Sequence, residues 1–87
     1  MPLSTIAVTV KLFASVKDVA KLSETVVKLP DASVASDVFS FLIKQYPELE
    51  PFQSYIRIAV NEAYVDIDFQ LHDGDEVAII PPVSGGR

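Results

Sequence analysis

Val77-Ala78-Ile79-Ile80 is apolar at every position and stops at Pro81-Pro82. A strand without alternation is shielded from water on both faces, so this segment belongs in the middle of a sheet. The rest of the chain must supply strands on either side of it and a layer to cover it. The chain has 87 residues for this, which is one domain and one core burying ~60–65% of the unfolded surface.

The neighbouring elements can be read in turn. Ile6, Val8, Val10 and Leu12 alternate with Ala7, Thr9, Lys11 and Phe13, so Thr5–Phe13 is a strand with one buried face. Ala14–Ser23 is mixed and reads as a loop with room for a short helical turn. Glu24–Leu29 is β-branched, stops at Pro30 and pairs back on the first strand. Val34–Tyr46 is the main helix. Ser33 is its expected N-cap, Asp37 suits the positive helix end, and Pro47 ends it. Val34, Val38, Phe41 and Leu42 form its expected apolar face. Glu48–Tyr55 reads as a loop. Ile56–Val60, a turn at Asn61-Glu62 and Ala63–Val65 make a hairpin. Gly74 closes a turn before Glu76–Ile80. The order β-β-α-β-β-β predicts an α+β domain, a mixed sheet with one main helix packed on one face.

Composition narrows the chemistry. There is no Cys, which removes disulfides, thiolate metal sites and a cysteine nucleophile. No apolar run is long enough to span a membrane, and the start lacks a basic region followed by an apolar stretch, so no membrane association is expected. Twelve acidic residues against seven basic give a net charge of −5. Nucleic acid is disfavoured on that charge, and a basic protein surface is favoured.

His72 is the only histidine and sits in a turn, without a second nitrogen or sulfur ligand to make a metal site. Asp66, Asp68, Asp73, Asp75 and Glu76 lack calcium-loop spacing and read as turn and surface acids. Ser4, Ser15, Ser23 and Ser84 have no adjacent base. What remains is the end of the chain, Pro81-Pro82-Val83-Ser84-Gly85-Gly86-Arg87. The prolines stiffen its exit, and the glycines let a backbone carbonyl enter a narrow slot. Residues 1–80 are therefore taken as the domain and 81–87 as a flexible tail.

The segment from Leu71 to Gly86, with Gly74-Asp75-Glu76-Val77 and Pro81-Pro82-Val83-Ser84-Gly85-Gly86, resembles the end of the small subunit of molybdopterin synthase, a ubiquitin-like sulfur-carrier family. Val8–Ala14, Tyr46-Pro47-Glu48-Leu49, Ala59-Val60-Asn61 and Tyr64-Val65 extend the likeness over nearly the whole chain. The resemblance implies a β-grasp fold with its first and last strands parallel neighbours. It implies that the Gly86 carboxylate is adenylated and then converted to a thiocarboxylate, with no cofactor bound beyond the transient acyl-AMP. Pro81, Pro82, Val83, Ser84 and Gly85 would form the segment that enters a partner, and Phe13, Tyr64 and Ile80 the apolar partner interface.

The implied partners are the synthase large subunit, an E1-like adenylating enzyme and a sulfur donor protein, in the cytoplasm. The chain itself is then a non-catalytic carrier. A carrier for another sulfur pathway and a ubiquitin-like protein modifier stay open as alternatives. One departure stands out: the family usually ends at the second glycine, and here Arg87 follows it. Arg87 is trimmed, or is an appended residue, or marks a copy that does not act as a carrier.

Overall fold

The computed structural model describes residues 4–82. Five strands form one mixed sheet: β1 (Thr5–Leu12), β2 (Glu24–Pro30), β3 (Arg57–Val60), β4 (Ala63–Val65) and β5 (Glu76–Ile80). Their order across the sheet is β2-β1-β5-β3-β4. β1 pairs antiparallel with β2 and parallel with β5, while β3 pairs antiparallel with both β4 and β5. The expected parallel contact between first and last strands is present, and β5 occupies the centre.

Period two sorts the side chains. Ile6, Val8, Val10 and Leu12 of β1 face the core with Val77 and Ile79 of β5 and Ile58 and Val60 of β3. The main helix, α2 (Ala35–Gln45), covers this face with Ala35, Val38, Phe39 and Leu42. The expected apolar face included Phe41 and omitted Phe39. Instead, Phe39 is 2% exposed, while Phe41 is half-buried beside β2. Helix rotation decides between the two phenylalanines, and the contacts of the sheet fix that rotation.

The expected N-cap, Ser33, is one residue early. Val34 has the extended backbone of the cap position. Ser33 Oγ instead donates to the Pro30 carbonyl at 2.7 Å. The start of α2 is satisfied from elsewhere: Asp37 Oδ2 accepts from Val34 N–H at 2.8 Å, and the Phe69 and Ile67 carbonyls accept from Ala35 and Ser36 N–H at 2.9 Å each. This binds the irregular stretch between β4 and β5 to the helix, because unpaired N–H groups at a helix start need acceptors.

Two segments carry more helix than expected: Ala14–Ser23, read as a loop with room for a short helical turn, and Glu48–Tyr55, read as a loop. Ala14–Ala20 is α1, which buries Val16 and Ala20. It has neither a side-chain N-cap nor a glycine at its end, where Lys21 takes a left-handed φ of 57°, so its boundaries are silent in sequence. Pro47–Phe52 is a 3-10 helix started by Pro47, and it buries Leu49 completely. β5 departs from expectation in one respect. Val77 and Ile79 are fully buried, but Ala78 and Ile80 are only half-buried. Among the described residues no layer covers that second face.

Candidate functional site

The uncovered face of the sheet is where the expected partner residues meet. Leu12 pairs with Ile79, so Phe13, the next residue of the opposite phase, falls beside Ile80. Ile80 pairs with Arg57 on the other side. One row across three strands therefore reads Phe13, Ile80, Arg57. The adjacent row reads Lys11, Ala78, Ala59, Tyr64, from the pairs Lys11–Ala78, Ala78–Ala59 and Ala59–Tyr64.

The second row has two alanines at its middle and larger side chains at its ends, so the face is a shallow trough. Phe13 and Tyr64 are 44% and 62% exposed, far more than aromatic side chains in a core. Arg57 places its guanidinium 4.9 Å from the centroid of the Tyr64 ring, within cation–π range. The ring thus holds the one charged group of the Phe13 row in place. Lys11 closes the trough on the other side, with Nζ 2.7 Å from a carboxylate oxygen of Glu76. That hydrogen bond and charge hold the Lys11 ammonium above its ordinary range.

Phe13, Ile80 and Tyr64, singled out from the sequence, thus share one face, and the structure adds Arg57 and the two alanines. Arg57, Ala59 and Ala78 were not singled out from the sequence; period two pairs Arg57 with Ala59 within β3 and Ala78 with Ile80 within β5. What the sequence could not supply was the register between strands far apart in the chain.

β5 delivers the chain out of this face. Pro81 is buried and Pro82 exposed. Val83, Ser84, Gly85, Gly86 and Arg87 lie outside the described residues.

The acidic turns build the fold. Asp73 Oδ1 accepts from Ala7 N–H at 2.7 Å, and Asp75 Oδ2 accepts from His72 N–H at 2.8 Å. Asn61, read from the sequence as a turn residue, also bonds through its side chain. Its Oδ1 accepts from Glu76 N–H, and its Nδ2 donates to Asp75 Oδ1, both at 3.0 Å, joining the β3–β4 turn to the start of β5. Among the described residues no three His, Asp or Glu side chains converge as a metal site, and no helix is long and apolar enough to cross a membrane.

This architecture has close relatives. A molybdopterin synthase sulfur carrier subunit of Arabidopsis thaliana is 32% identical over 95% of this chain and 86% of its own length. That of Chlamydomonas reinhardtii is 38% identical over 85% and 92%. Among solved structures, a putative molybdopterin converting factor subunit 1 from Pyrococcus furiosus superposes with a TM-score of 0.81 at 30% identity, covering 90% of this chain and 99% of its own. SAMP1 of Haloferax volcanii superposes at 0.82 with 26% identity, covering 92% and 99%. The fold also matches a protein-protein complex of subunits 1 and 2 of the Helicobacter pylori molybdopterin-converting factor, at 0.66 and 23% identity over 93% and 100%. The ThiS family profile spans residues 10–86. The chain belongs to the ThiS family, and its fold is the β-grasp of the ubiquitin-like sulfur carriers.

Proposed function

We propose that this chain is the sulfur-carrier small subunit of a molybdopterin synthase, which carries sulfur as a thiocarboxylate on Gly86. The observation that carries this reading is the open sheet face that carries Phe13, Ile80, Arg57 and Tyr64, with Ile80 at the end of the strand that leads into Pro81-Pro82. A partner docked there holds the carrier at the root of the segment it must receive. The curated relatives, named for this role, support the pathway, and the two-subunit complex of the Helicobacter pylori protein supports the large subunit as partner.

The chemistry follows from the poor reactivity of a carboxylate. Its oxygen attacks the α-phosphorus of ATP, pyrophosphate leaves, and the acyl group sits on AMP, a good leaving group. Hydrosulfide released by a donor protein then attacks the acyl carbon, and AMP leaves. The resulting thiocarboxylate presents sulfur on a tether rather than as free sulfide, which raises its effective concentration at the acceptor. The domain supplies recognition, while the adenylating enzyme and the large subunit supply catalysis. Gly86 has a free carboxylate only once the Gly86–Arg87 peptide bond has been hydrolysed.

The test compares the chain ending at Gly86 with the 87-residue chain, each given ATP, the cognate activating enzyme and a hydrosulfide source. Pyrophosphate release and a sulfur-for-oxygen mass increase are expected only for the shorter form. Equal adenylation of a verified, untrimmed 87-residue chain overturns the reading.

A second reading is favoured by the similarity to SAMP1, whose longer name in a solved structure from Methanosarcina acetivorans is small archaeal modifier protein 1. In that reading the activated Gly86 is joined to lysines of target proteins. Intact-mass analysis separates the two: a thiocarboxylate changes the carrier alone, whereas conjugation produces a ladder of carrier-sized additions on other proteins.

A further inference from the structure

β2 is one of the two outer strands of the sheet, and among the described residues no strand pairs with its free side. The pairs at its two ends define which backbone groups are spent. Leu12 N–H donates to Ser23 O at 2.9 Å, and Asp31 N–H donates to Ser4 O at 3.0 Å. With the register between them, antiparallel alternation makes Thr25, Val27 and Leu29 the residues that bond β1. Glu24, Val26 and Lys28 therefore direct both N–H and C=O outward, and their side chains share the uncovered face. Val26 is 61% exposed, an apolar residue at the midpoint of an open edge, which proteins normally blunt or cover.

The order of these three residues is self-complementary. If a second β2 lies antiparallel with Val26 opposite Val26, then Glu24 stands opposite Lys28 and Lys28 opposite Glu24. All three pairs are of the hydrogen-bonded kind, because all three residues present outward backbone groups. One register thus satisfies the free edge, buries the exposed valines against each other and matches both pairs of charges. Any register shifted by two residues places Val26 against a charge. Pro30, which has no N–H, ends the ladder at one side.

The helix side of the edge agrees. A depression of about 200 Å3 runs between β2 and α2, lined by Thr25, Val27, Phe41, Leu42, Gln45 and Tyr46. A two-fold axis through Val26 sets this depression against its own copy, so the half-buried Phe41 gains an apolar neighbour.

We infer that the chain forms a two-fold dimer through antiparallel pairing of β2 with β2 of a second copy, centred on Val26, giving a continuous ten-stranded sheet. The interface is isologous and closes on itself, so it stops at two. It lies at the opposite edge of the sheet from β4, and β1 and β2 separate the axis from β5. The two β5 strands stand five strand spacings apart, ~24 Å.

The test is sedimentation velocity of the full 87-residue chain up to millimolar concentration. The expected result is a concentration-dependent shift toward twice the 9.5 kDa of one chain, weakened by molar salt because the charge pairs are exposed. Lys28→Glu and Glu24→Lys each set like charges opposite one another, so each variant alone should be monomeric. Mixed in equal amounts they should form a heterodimer, since each Glu then meets a Lys of the other variant. Restored association also shows that both variants are folded. The double exchange Glu24→Lys/Lys28→Glu should dimerise by itself. An unmodified chain that stays monomeric at millimolar concentration, single variants that dimerise like the unmodified chain, or a mixture that fails to associate overturns the inference.

Discussion

The guanidinium of Arg57 lies over the ring of Tyr64 at 4.9 Å from its centroid, on adjacent antiparallel strands of the uncovered sheet face. Tyr64 is 62% exposed, so the pair adds little to the fold, and in the proposed function a partner covers it. Tyr64→Ala should lower affinity for the synthase large subunit about tenfold, ~1.4 kcal/mol, with little change in thermal midpoint. Arg57→Ala should do the same. The double variant should lose less than the sum, because each side chain orients the other. Calorimetric titration of all four forms reads this directly. Unchanged affinity for Tyr64→Ala would remove the trough from the interface.

The two phenylalanines of α2 separate core from edge. Phe39 is 2% exposed in the core cluster, and Phe41 is half-buried beside β2. Phe39→Ala should destabilise the domain by about 3–5 kcal/mol, with the loss of Phe41 costing clearly less. Urea unfolding of the two variants gives the comparison, and equal losses would contradict the observed rotation of the helix.

That rotation marks where sequence reading runs out. The strands were legible because period two is a local property: Ile6, Val8, Val10 and Leu12 face inward whatever lies above them. The centrality of β5 was legible from an apolar run that tolerates no solvent-facing edge. A helix with apolar residues at 34, 35, 38, 39, 41, 42 and 43 has more apolar surface than one face can bury, so neighbours far off in sequence choose among them. α1 was legible only as room for a short helical turn, because its ends lack the residues that announce helix termini. For the site, phase set Phe13 apart from the buried residues of β1 and the family resemblance pointed to Tyr64 and Ile80, but the Arg57–Tyr64 contact depends on register across β3 and β4.

The β3–β4 turn offers a stabilising change. Asn61 and Glu62 have φ values of 50° and 73°, the left-handed pair of a two-residue hairpin turn. Asn61 suits this conformation and is fixed by its bonds to Asp75 and Glu76. Glu62 pays a steric cost that glycine avoids. Glu62→Gly should raise stability by about 0.5–1 kcal/mol, less the entropy glycine adds to the unfolded chain. A lower urea midpoint would mean that Glu62 makes a contact worth more than the strain.

Lys11 and Glu76 join β1 to β5 at 2.7 Å on the same face. The Lys11 pKa is raised by its hydrogen bond to Glu76 and then by that residue's charge. A group whose folded pKa lies above its unfolded value stabilises the fold below the unfolded value, here 10.5, and ceases to do so as pH rises through the folded one. The pair therefore persists at neutral pH and opens only in strong alkali. NMR titration of the Lys11 side chain should show the raised value in the unmodified chain and a lower one in Glu76→Gln. Identical titrations would show that the pair does not persist in solution.

The final expectation concerns the glycines beyond the described fold. The core among the described residues is complete by Ile79, so a substitution at Gly86 should leave stability unchanged. In the proposed function the backbone of Gly85-Gly86 must pass through a narrow partner channel to present its carbonyl carbon. A methyl group at Gly86 would then clash there or restrict the backbone. Gly86→Ala, made in a chain ending at residue 86, should lower the sulfur-transfer rate by about thirtyfold to a hundredfold, ~2–3 kcal/mol, at an unchanged thermal midpoint. Leu42→Ala serves as the converse: 1% exposed in the core, it should cost about 2–5 kcal/mol of stability while leaving transfer intact at temperatures where it stays folded. Transfer by Gly86→Ala at the unmodified rate would show that the channel admits a side chain, and the requirement for a bare Gly-Gly end would fall.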